Sequence, residues 1–225
     1  MVESKSVVER VNKAWDRLEA WYAKNAPEWT LSKGATDEEI DSLAKHLNVT
    51  LPEEFRVSLK RHNGIEDLKW PMTWLLSTKE IQRLWDSWVG MEGENDDLVE
   101  SDGTFQKKFW CRSWVQIDSD GGSSNGNVID LAPGPKGHIG QILFFDHGEG
   151  PSGPTYPDLA AYLEDMATKL EEGKYIVDDD RLADNEDENE GEENGSHEED
   201  EDESEEDDEV DKEEEKSKSK KKVKK

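Results

Sequence analysis

The sequence has almost no cysteine and no long hydrophobic run. Cys111 is the only cysteine among 225 residues, so no disulfide can form within the chain, as is typical of proteins from a reducing compartment. No stretch of 18 apolar residues occurs, and the first residues lack the basic and then apolar pattern of a signal peptide. We therefore expect an intracellular, cytoplasmic protein that has no membrane partner.

Basic side chains are also scarce. The chain holds 28 Lys and Arg residues against 56 Asp and Glu residues, which gives a formal net charge of −28. Affinity for nucleic acid depends largely on basic side chains that neutralise phosphates. The composition therefore argues against direct nucleic-acid binding as a general function.

Apolar residues are nearly missing after position 180. Residues 181–225 contain 22 acidic and nine basic side chains, and their only hydrophobic residues are Leu182, Ala183, Val210 and Val223. Such a segment cannot bury enough surface to offset the entropy of ordering its backbone. All nine tryptophans lie before it. The sequence thus predicts one folded domain at 1–180 and a disordered acidic tail at 181–225 that ends in a Lys-rich segment.

What the first 180 residues contain is a set of clear periodic patterns. Apolar residues three and four apart predict helices over 7–22, 37–47, 53–60, 78–88 and 159–170. The segment from Thr36 to Glu39 matches the capping box that opens many helices. Apolar runs at 73–76, 114–117, 127–131 and 140–145 predict strands, with residues 91–104 as a surface loop and 175–177 as an edge strand or extended tail. Tight turns between the later strands favour an antiparallel meander. The predicted fold class is α+β: a single domain with helices packed on a mostly antiparallel sheet.

Several short motifs occur in a recognisable order. A first group is Leu51, Pro52 and Phe55 followed by Asn63 and Gly64; a second is Trp114, Asp130, Leu131, Pro133, Gly134, Gly137 and Gly140. The first group is similar to a signature of the SUKH superfamily, and the second resembles its fungal branch of cell-wall assembly and glucan synthesis regulators. The resemblance implies a SUKH-like α+β domain over roughly residues 5–180. It also implies that the motif residues have structural roles.

The residues that could carry catalysis form no convincing site. His138 and His147 flank one strand, and with Asp130 or Asp146 they offer only a weak case for catalysis or metal binding. The loop from Asp118 to Asn127 looks like a calcium loop, but it lacks the glycine and glutamate that an EF-hand needs at its sixth and twelfth positions. We predict a polar hairpin loop there. No catalytic residue, cofactor or metal ion is predicted, and the protein is not expected to be an enzyme.

Tryptophan is the most informative residue type of the predicted domain. Trp70 and Trp88 fall at the ends of predicted elements beside acidic loops, and exposed tryptophan is common at binding hot spots. These two are the candidate protein-contact residues. Trp74, Trp85 and Trp114 are expected in the core, with Trp114 and Ile129 projecting from adjacent strands into one interior. Cys111 is expected to be buried and unreactive.

The tail admits two interpretations. From Asp184 to Glu215, 22 of 32 residues are acidic, so the tail could compete with nucleic acid for basic proteins, or it could merely solvate the chain. Lys221, Lys222 and Lys224 fit a nuclear import signal or a charge-balancing end. Ser196 and Ser204 precede acidic stretches that favour phosphorylation by acidophilic kinases.

Together these features favour a non-enzymatic protein-interaction module. The resemblance implies a regulator or scaffold in signalling, cell-wall assembly or morphogenesis that contacts other proteins through its folded domain. Two alternatives stay open: an acidic chaperone or decoy for basic nuclear proteins, and an immunity-type protein that binds a toxin, as bacterial members of the superfamily do.

Overall fold

A computed structural model describes residues 6–71, 73–122 and 124–185 of the chain. The helices are α1 (Val7–Asn25), α2 (Asp37–Leu47), α3 (Glu53–Arg61), α4 (Thr78–Val89) and α5 (Leu159–Glu171), with a short 3-10 helix at Asp96–Leu98. The strands are β1 (Ile65–Trp70), β2 (Thr73–Leu75), β3 (Trp114–Gln116), β4 (Asp118–Ser119), β5 (Gly126–Asp130), β6 (Ile142–Asp146), β7 (Gly150–Tyr156), β8 (Tyr175–Asp178) and β9 (Arg181–Asp184).

Capping boxes fix where three of the helices begin. Ser6, Thr36 and Ser77 each accept a hydrogen bond from the backbone amide three residues later, and a glutamate at that position returns the bond. These reciprocal capping boxes satisfy amides that the first helical turn leaves unpaired. Helix α3 begins after Pro52, whose ring fixes its backbone in a conformation compatible with a helix start.

The strands form three antiparallel sheets. The largest has the order β3-β5-β6-β7, a second has the order β1-β2-β4, and β8 pairs with β9 in a two-stranded hairpin. The α+β class and the mostly antiparallel pairing are confirmed. The meander predicted from β3, β5 and β6 is confirmed as well, and it continues into β7.

The largest sheet has one part of the core on each face. Val115, Ile129 and Ile142 belong to the larger cluster, together with the buried faces of α1, α3 and α5. Trp114 belongs to a smaller, aromatic-rich cluster on the opposite face. Trp114 and Ile129 are buried on adjacent strands, but the register pairs Trp114 with Asp130 and Val115 with Ile129. The expectation that they share one interior is wrong, because successive side chains on a strand alternate between faces.

The surface loop predicted at 91–104 contributes Val99 to a cover over the smaller cluster, and the residues just after the loop supply the rest. We call residues 99–110 the cover segment. Val99, Phe105, Phe109 and Trp110 are buried and pack with Phe145 of β6. The sequence did not indicate this role, because the four apolar side chains have no regular spacing and polar or acidic residues stand between them. Cys111 is buried in the same cluster, as expected, and burial raises the pKa of its thiol, which disfavours the reactive thiolate.

The ordered chain continues past the predicted domain boundary at residue 180. Strand β9 pairs with β8, with Asp178 opposite Arg181 at one end and Tyr175 opposite Asp184 at the other. The side chain of Leu182 is only 7% exposed. A boundary at 180 would cut this hairpin at its turn. The predicted disordered tail, from residue 186 onward, lies outside the described residues, as do Ser196, Ser204, Lys221, Lys222 and Lys224.

Two truncations test this boundary. A chain that ends at Asn185 should unfold at nearly the same denaturant concentration as the full chain, because it keeps β9. A chain that ends at residue 180 should be less stable by about 1.5–3 kcal/mol, since the burial of Leu182 and the hairpin pairing are lost. Equal midpoints for the two truncated chains would show that β9 contributes nothing to the domain.

Candidate protein-interaction site

Trp70, one of the two predicted contact residues, is not on the surface. Its side chain is 0% exposed, and its indole Nε1 donates a hydrogen bond to Tyr162 Oη at 2.7 Å. Its ring also lies 5.9 Å from the ring of Trp15 in α1. The assignment of Trp70 to a protein contact is therefore wrong. The acidic residues next to it in sequence did not indicate exposure, because β1 places this side chain beneath the helices.

Trp88, the other predicted contact residue, is partly buried near the end of α4. Its ring stacks on Trp110 with 5.8 Å between ring centroids and meets the edge of Phe145 at 4.8 Å. The remaining exposed part makes Trp88 a candidate contact on the rim of the smaller cluster. Trp114 is buried, as expected, whereas Trp74 and Trp85 are only partly buried.

The first motif group builds the junction between α3 and α4. Leu51 and Phe55 are buried in the larger cluster. Asn63 Oδ1 accepts a hydrogen bond from the backbone amide of Thr78 at 2.8 Å, which satisfies an amide at the start of α4. Gly64 has φ +82°, and a Cβ there would lie 2.6 Å from the backbone nitrogen of Ser77. Only glycine fits at this position.

The second motif group is organised around the buried carboxylate of Asp130. Its Oδ1 accepts hydrogen bonds from Trp114 Nε1 at 3.1 Å and from the backbone amide of Ala132 at 2.9 Å. Its Oδ2 accepts one from Gln141 Nε2 at 3.0 Å. Burial raises the pKa of Asp130, and these three donors partly oppose that rise. One side chain thus joins β3, β5 and the start of β6.

The connection between β5 and β6 packs tightly on the segment around Thr104. A Cβ at Gly137 would lie 1.9 Å from the carbonyl oxygen of Thr104, and one at Gly134 would lie 2.3 Å from that of Gly103. Gly140 has φ +93°. Pro133 stiffens this connection, and Leu131 at its start packs partly buried against the larger cluster. These motif residues occupy structural positions.

The two histidines considered for catalysis hydrogen-bond to neutral oxygen atoms, although His138 acts electrostatically on Asp130 and His147 on Asp146. His138 Nε2 lies 2.6 Å from the carbonyl oxygen of Pro157, and His147 Nδ1 lies 3.0 Å from Asn125 Oδ1. Within the described ranges, no group of three His, Cys, Asp or Glu side chains could hold a metal ion. No helix among these residues is long and apolar enough to cross a membrane.

A groove lies between α1 and β8. It has a volume of about 780 Å³ and is lined by Trp21, Lys24, Leu170, Ile176 and Val177, among others. Ile176 is 45% exposed, which is unusual for a large apolar side chain, and Trp21 is partly buried beside it. The ion pair between Arg17 and Glu171, at 2.5 Å, forms part of the groove wall. We call this feature the α1–β8 groove.

The edge of β8 that faces this groove carries unpaired backbone groups. The amide of Asn185 donates to the carbonyl of Lys174, so residues 174, 176 and 178 bond toward β9 in the antiparallel pattern. The N–H and C=O groups of Tyr175 and Val177 therefore point away from β9. Neither has a backbone partner in the part of the chain that the structure describes.

A second cavity, of about 350 Å³, lies over the side chain of Asp118. We call it the Asp118 pocket; its walls include Asn127, Phe144, Tyr156, Tyr162 and Tyr175. Burial raises the pKa of the Asp118 carboxyl, and burial with the nearby charge of Asp118 raises the pKa of the Tyr162 phenol. The polar loop of the sequence is thus a hairpin anchored by a buried acid, a role that its calcium-like pattern did not reveal.

Comparison with known proteins places the chain in a family. Residues 34–165, from just before α2 to the middle of α5, match the model of the SMI1 / KNR4 family (SUKH-1). The chain belongs to this family. The resemblance inferred from the motif groups is thereby confirmed. Helix α1 and the β8–β9 hairpin lie outside the matched segment, so the α1–β8 groove is largely outside it, whereas Asp118 lies inside it.

Fungal members of the SMI1 / KNR4 family are similar to this chain over most of its length. The cell wall biosynthesis/cell cycle regulator smi1 of Schizosaccharomyces pombe is 30% identical over 199 residues, which cover 79% of this chain and 39% of that protein. The glucan synthesis regulatory protein of Neurospora crassa is 26% identical over 76% of this chain and 40% of its own length. The cell wall assembly regulator SMI1 of Saccharomyces cerevisiae is 23% identical over 79% of this chain and 44% of its own length. The chain thus spans about 40% of the length of these relatives, all of which are named as regulators and none as an enzyme.

Proposed function

We propose that this chain is a non-enzymatic regulatory module that binds other proteins through its folded domain, in the control of cell-wall assembly or glucan synthesis. The assignment to this process is supported by the names of three fungal relatives. The observation that carries the binding role is the α1–β8 groove, where exposed Ile176 lies beside a strand edge with unpaired backbone groups.

The chemistry of the groove favours one kind of occupant. An extended segment of a partner can bond to the outward N–H and C=O groups of Tyr175 and Val177 and so add a strand beside β8. Apolar side chains of that segment would cover Ile176 and Trp21, which supplies the desolvated aromatic contact typical of binding hot spots. The partner that the groove fits is therefore an extended, partly apolar peptide segment of another protein.

A second candidate function rests on the tail. The density of acidic residues between Asp184 and Glu215 favours basic proteins as partners, and the Lys-rich end favours entry into the nucleus in addition to the cytoplasm. Binding of this kind is electrostatic between exposed charges. It is screened over about 8–10 Å near physiological salt, so it weakens steeply as salt is added.

Affinity capture with the full-length protein separates the two functions. The wild-type chain and an Ile176→Lys variant are used as bait in a lysate of the cells in which this protein occurs, with washes in about 0.5 M salt. The wild type should retain a specific partner, and Ile176→Lys should lose it, because a lysine head cannot be buried against an added strand. Ile139→Lys is the matched control, since Ile139 is 69% exposed on the β5–β6 connection.

Two further baits locate the contact. A chain that ends at Asn185 should keep the salt-resistant partner, and Trp88→Ala should lose it only if the rim of the smaller cluster takes part. If Ile176→Lys binds every partner normally while removal of residues 186–225 abolishes all binding, the domain-based proposal fails and the tail-based function replaces it.

A further inference from the structure

Three directed donors surround the Asp118 carboxyl and favour its ionised form, against the burial that raises its pKa. Its Oδ1 accepts the backbone amide of Asn127 at 2.6 Å, and its Oδ2 accepts Asn127 Nδ2 at 2.8 Å and the Tyr162 hydroxyl at 2.6 Å. Because Trp70 Nε1 donates to Tyr162 Oη, the hydroxyl hydrogen of Tyr162 is left to point at Asp118. The arrangement Trp70–Tyr162–Asp118 is a chain of donors that ends on a carboxylate.

The charge of this carboxylate is not balanced. Asp118 is 1% exposed, yet no lysine, arginine or histidine among the described residues forms an ion pair with it. Lys169, the cation that lines the same pocket, is paired with Asp165 at 2.8 Å. Buried charges in proteins are normally paired with an opposite charge or bound to a metal ion. In its ionised form Asp118 therefore has no opposite charge paired with it among the described residues, and a cation from a partner would supply one.

The walls of the Asp118 pocket indicate what kind of cation fits. A calcium ion needs six to eight oxygen ligands, and the described part of the chain offers no cluster of carboxylates for a metal. The pocket is instead walled by the aromatic rings of Phe144, Tyr156 and Tyr175. Aromatic faces around a carboxylate suit an organic cation, above all a guanidinium, which stacks on rings and bonds to carboxylates.

We propose that the Asp118 pocket receives a basic side chain, an arginine in particular, from a partner protein. The occupant would place its cationic end toward Asp118 and its aliphatic stem against Phe144 and Tyr156. This inference rests on the proposed protein-binding function and specifies the chemistry of one contact. It concerns a different face from the α1–β8 groove, which meets the pocket only at Tyr175.

A matched pair of small probes tests the pocket in the full-length protein. N-acetyl-arginine amide and N-acetyl-citrulline amide have the same shape, but only the arginine compound is charged. Titration followed by NMR should show shifts at the Asn127 and Gly126 amides for the arginine probe. The citrulline probe should bind at least about tenfold more weakly, since it lacks the charge that pairs with Asp118. Local signals are needed because the acidic tail also attracts arginine.

Variants assign the effect to the pocket. Asp118→Asn should weaken the arginine probe at least about tenfold, while Glu38→Gln, on the exposed surface of α2, should leave it unchanged. Because Asp118→Asn also changes buried hydrogen bonds, Phe144→Leu provides a second variant that keeps the carboxylate but removes an aromatic face. It should weaken the probe by a smaller factor.

The outcomes distinguish this inference from the proposed function. Equal binding of the two probes, or shifts confined to residues 186–215, would overturn the pocket assignment even if Ile176→Lys loses its partner in the capture experiment. Binding of free guanidinium as tight as that of the arginine amide would overturn the assignment to a protein side chain, since the aliphatic stem would then contribute nothing. Pocket binding without any captured partner would contradict the proposed function alone.

Discussion

Replacing Trp114 by alanine should lower the free energy of unfolding by about 3–5 kcal/mol. The indole is completely buried between β3 and the cover segment, with the ring of Trp110 meeting it edge-on at 5.9 Å. Its removal leaves a large cavity and takes away one of the three donors on Asp130. A loss of this size is a large share of the 5–15 kcal/mol that is typical of a whole domain.

Denaturant unfolding of the full chain measures this loss. Leu98→Ala is the control, because Leu98 is an exposed large apolar residue near the same cover segment and its truncation should change the midpoint little. If Trp114→Ala unfolds at the wild-type midpoint, the packing of the smaller cluster against the sheet is wrong.

Replacing Asp130 by alanine should cost about 2–5 kcal/mol, by a different mechanism. The substitution leaves the Trp114 indole N–H, the Ala132 amide and the Gln141 side-chain amide without their common acceptor. Each buried donor that loses its partner costs about 1–3 kcal/mol. Some of this loss is offset, because a buried carboxylate whose pKa is raised is itself unfavourable at neutral pH.

The double variant Trp114→Ala with Asp130→Ala provides the sharper measurement. The two residues share a hydrogen bond, so their combined loss of stability should be clearly smaller than the sum of the single losses. Asp97→Ala, at an exposed acid of the 3-10 helix, is the control for loss of a negative charge. Strictly additive losses would show that the bond between Trp114 and Asp130 does not contribute.

The helices were predictable because their signals are local. The spacing of Val11, Trp15, Leu18 and Tyr22 lines one face of α1, and all four are buried. The capping box at Thr36 also lies within four residues of sequence and is present. Strand β6 was visible for the same reason, as a continuous apolar run from Ile142 to Phe145 between Gln141 and Asp146.

Two of the strands that were missed, β7 and β9, have no regular apolar pattern in the sequence. Strand β7 reads Gly-Pro-Ser-Gly-Pro-Thr-Tyr, and it forms because its backbone pairs with β6 at the edge of the sheet, where proline is tolerated. Strand β9 carries one buried residue, Leu182, in a segment rich in charge. Their pairing depends on neighbours that only the folded chain brings together.

The candidate contact residues show the same limit. Trp70 and Trp88 look alike in sequence, as aromatics beside acidic residues, but one is buried and the other is partly exposed. Asp118 was read as part of a solvated loop, and its burial depends on Tyr162, 44 residues away. The groove residue Ile176 could have been suspected from its place in a short apolar run, but its exposure could not.

The anchoring of Asn185 has a kinetic consequence for any partner of the groove. Its amide and side chain bond to the carbonyls of Lys174 and Gly173, and Gly173 lines the α1–β8 groove. The described part of the chain thus ends beside that groove, and the sequence that follows Asn185 is strongly acidic. A positively charged partner would be drawn in faster at low ionic strength. Its residence time, set by the desolvated contacts, would change little with salt.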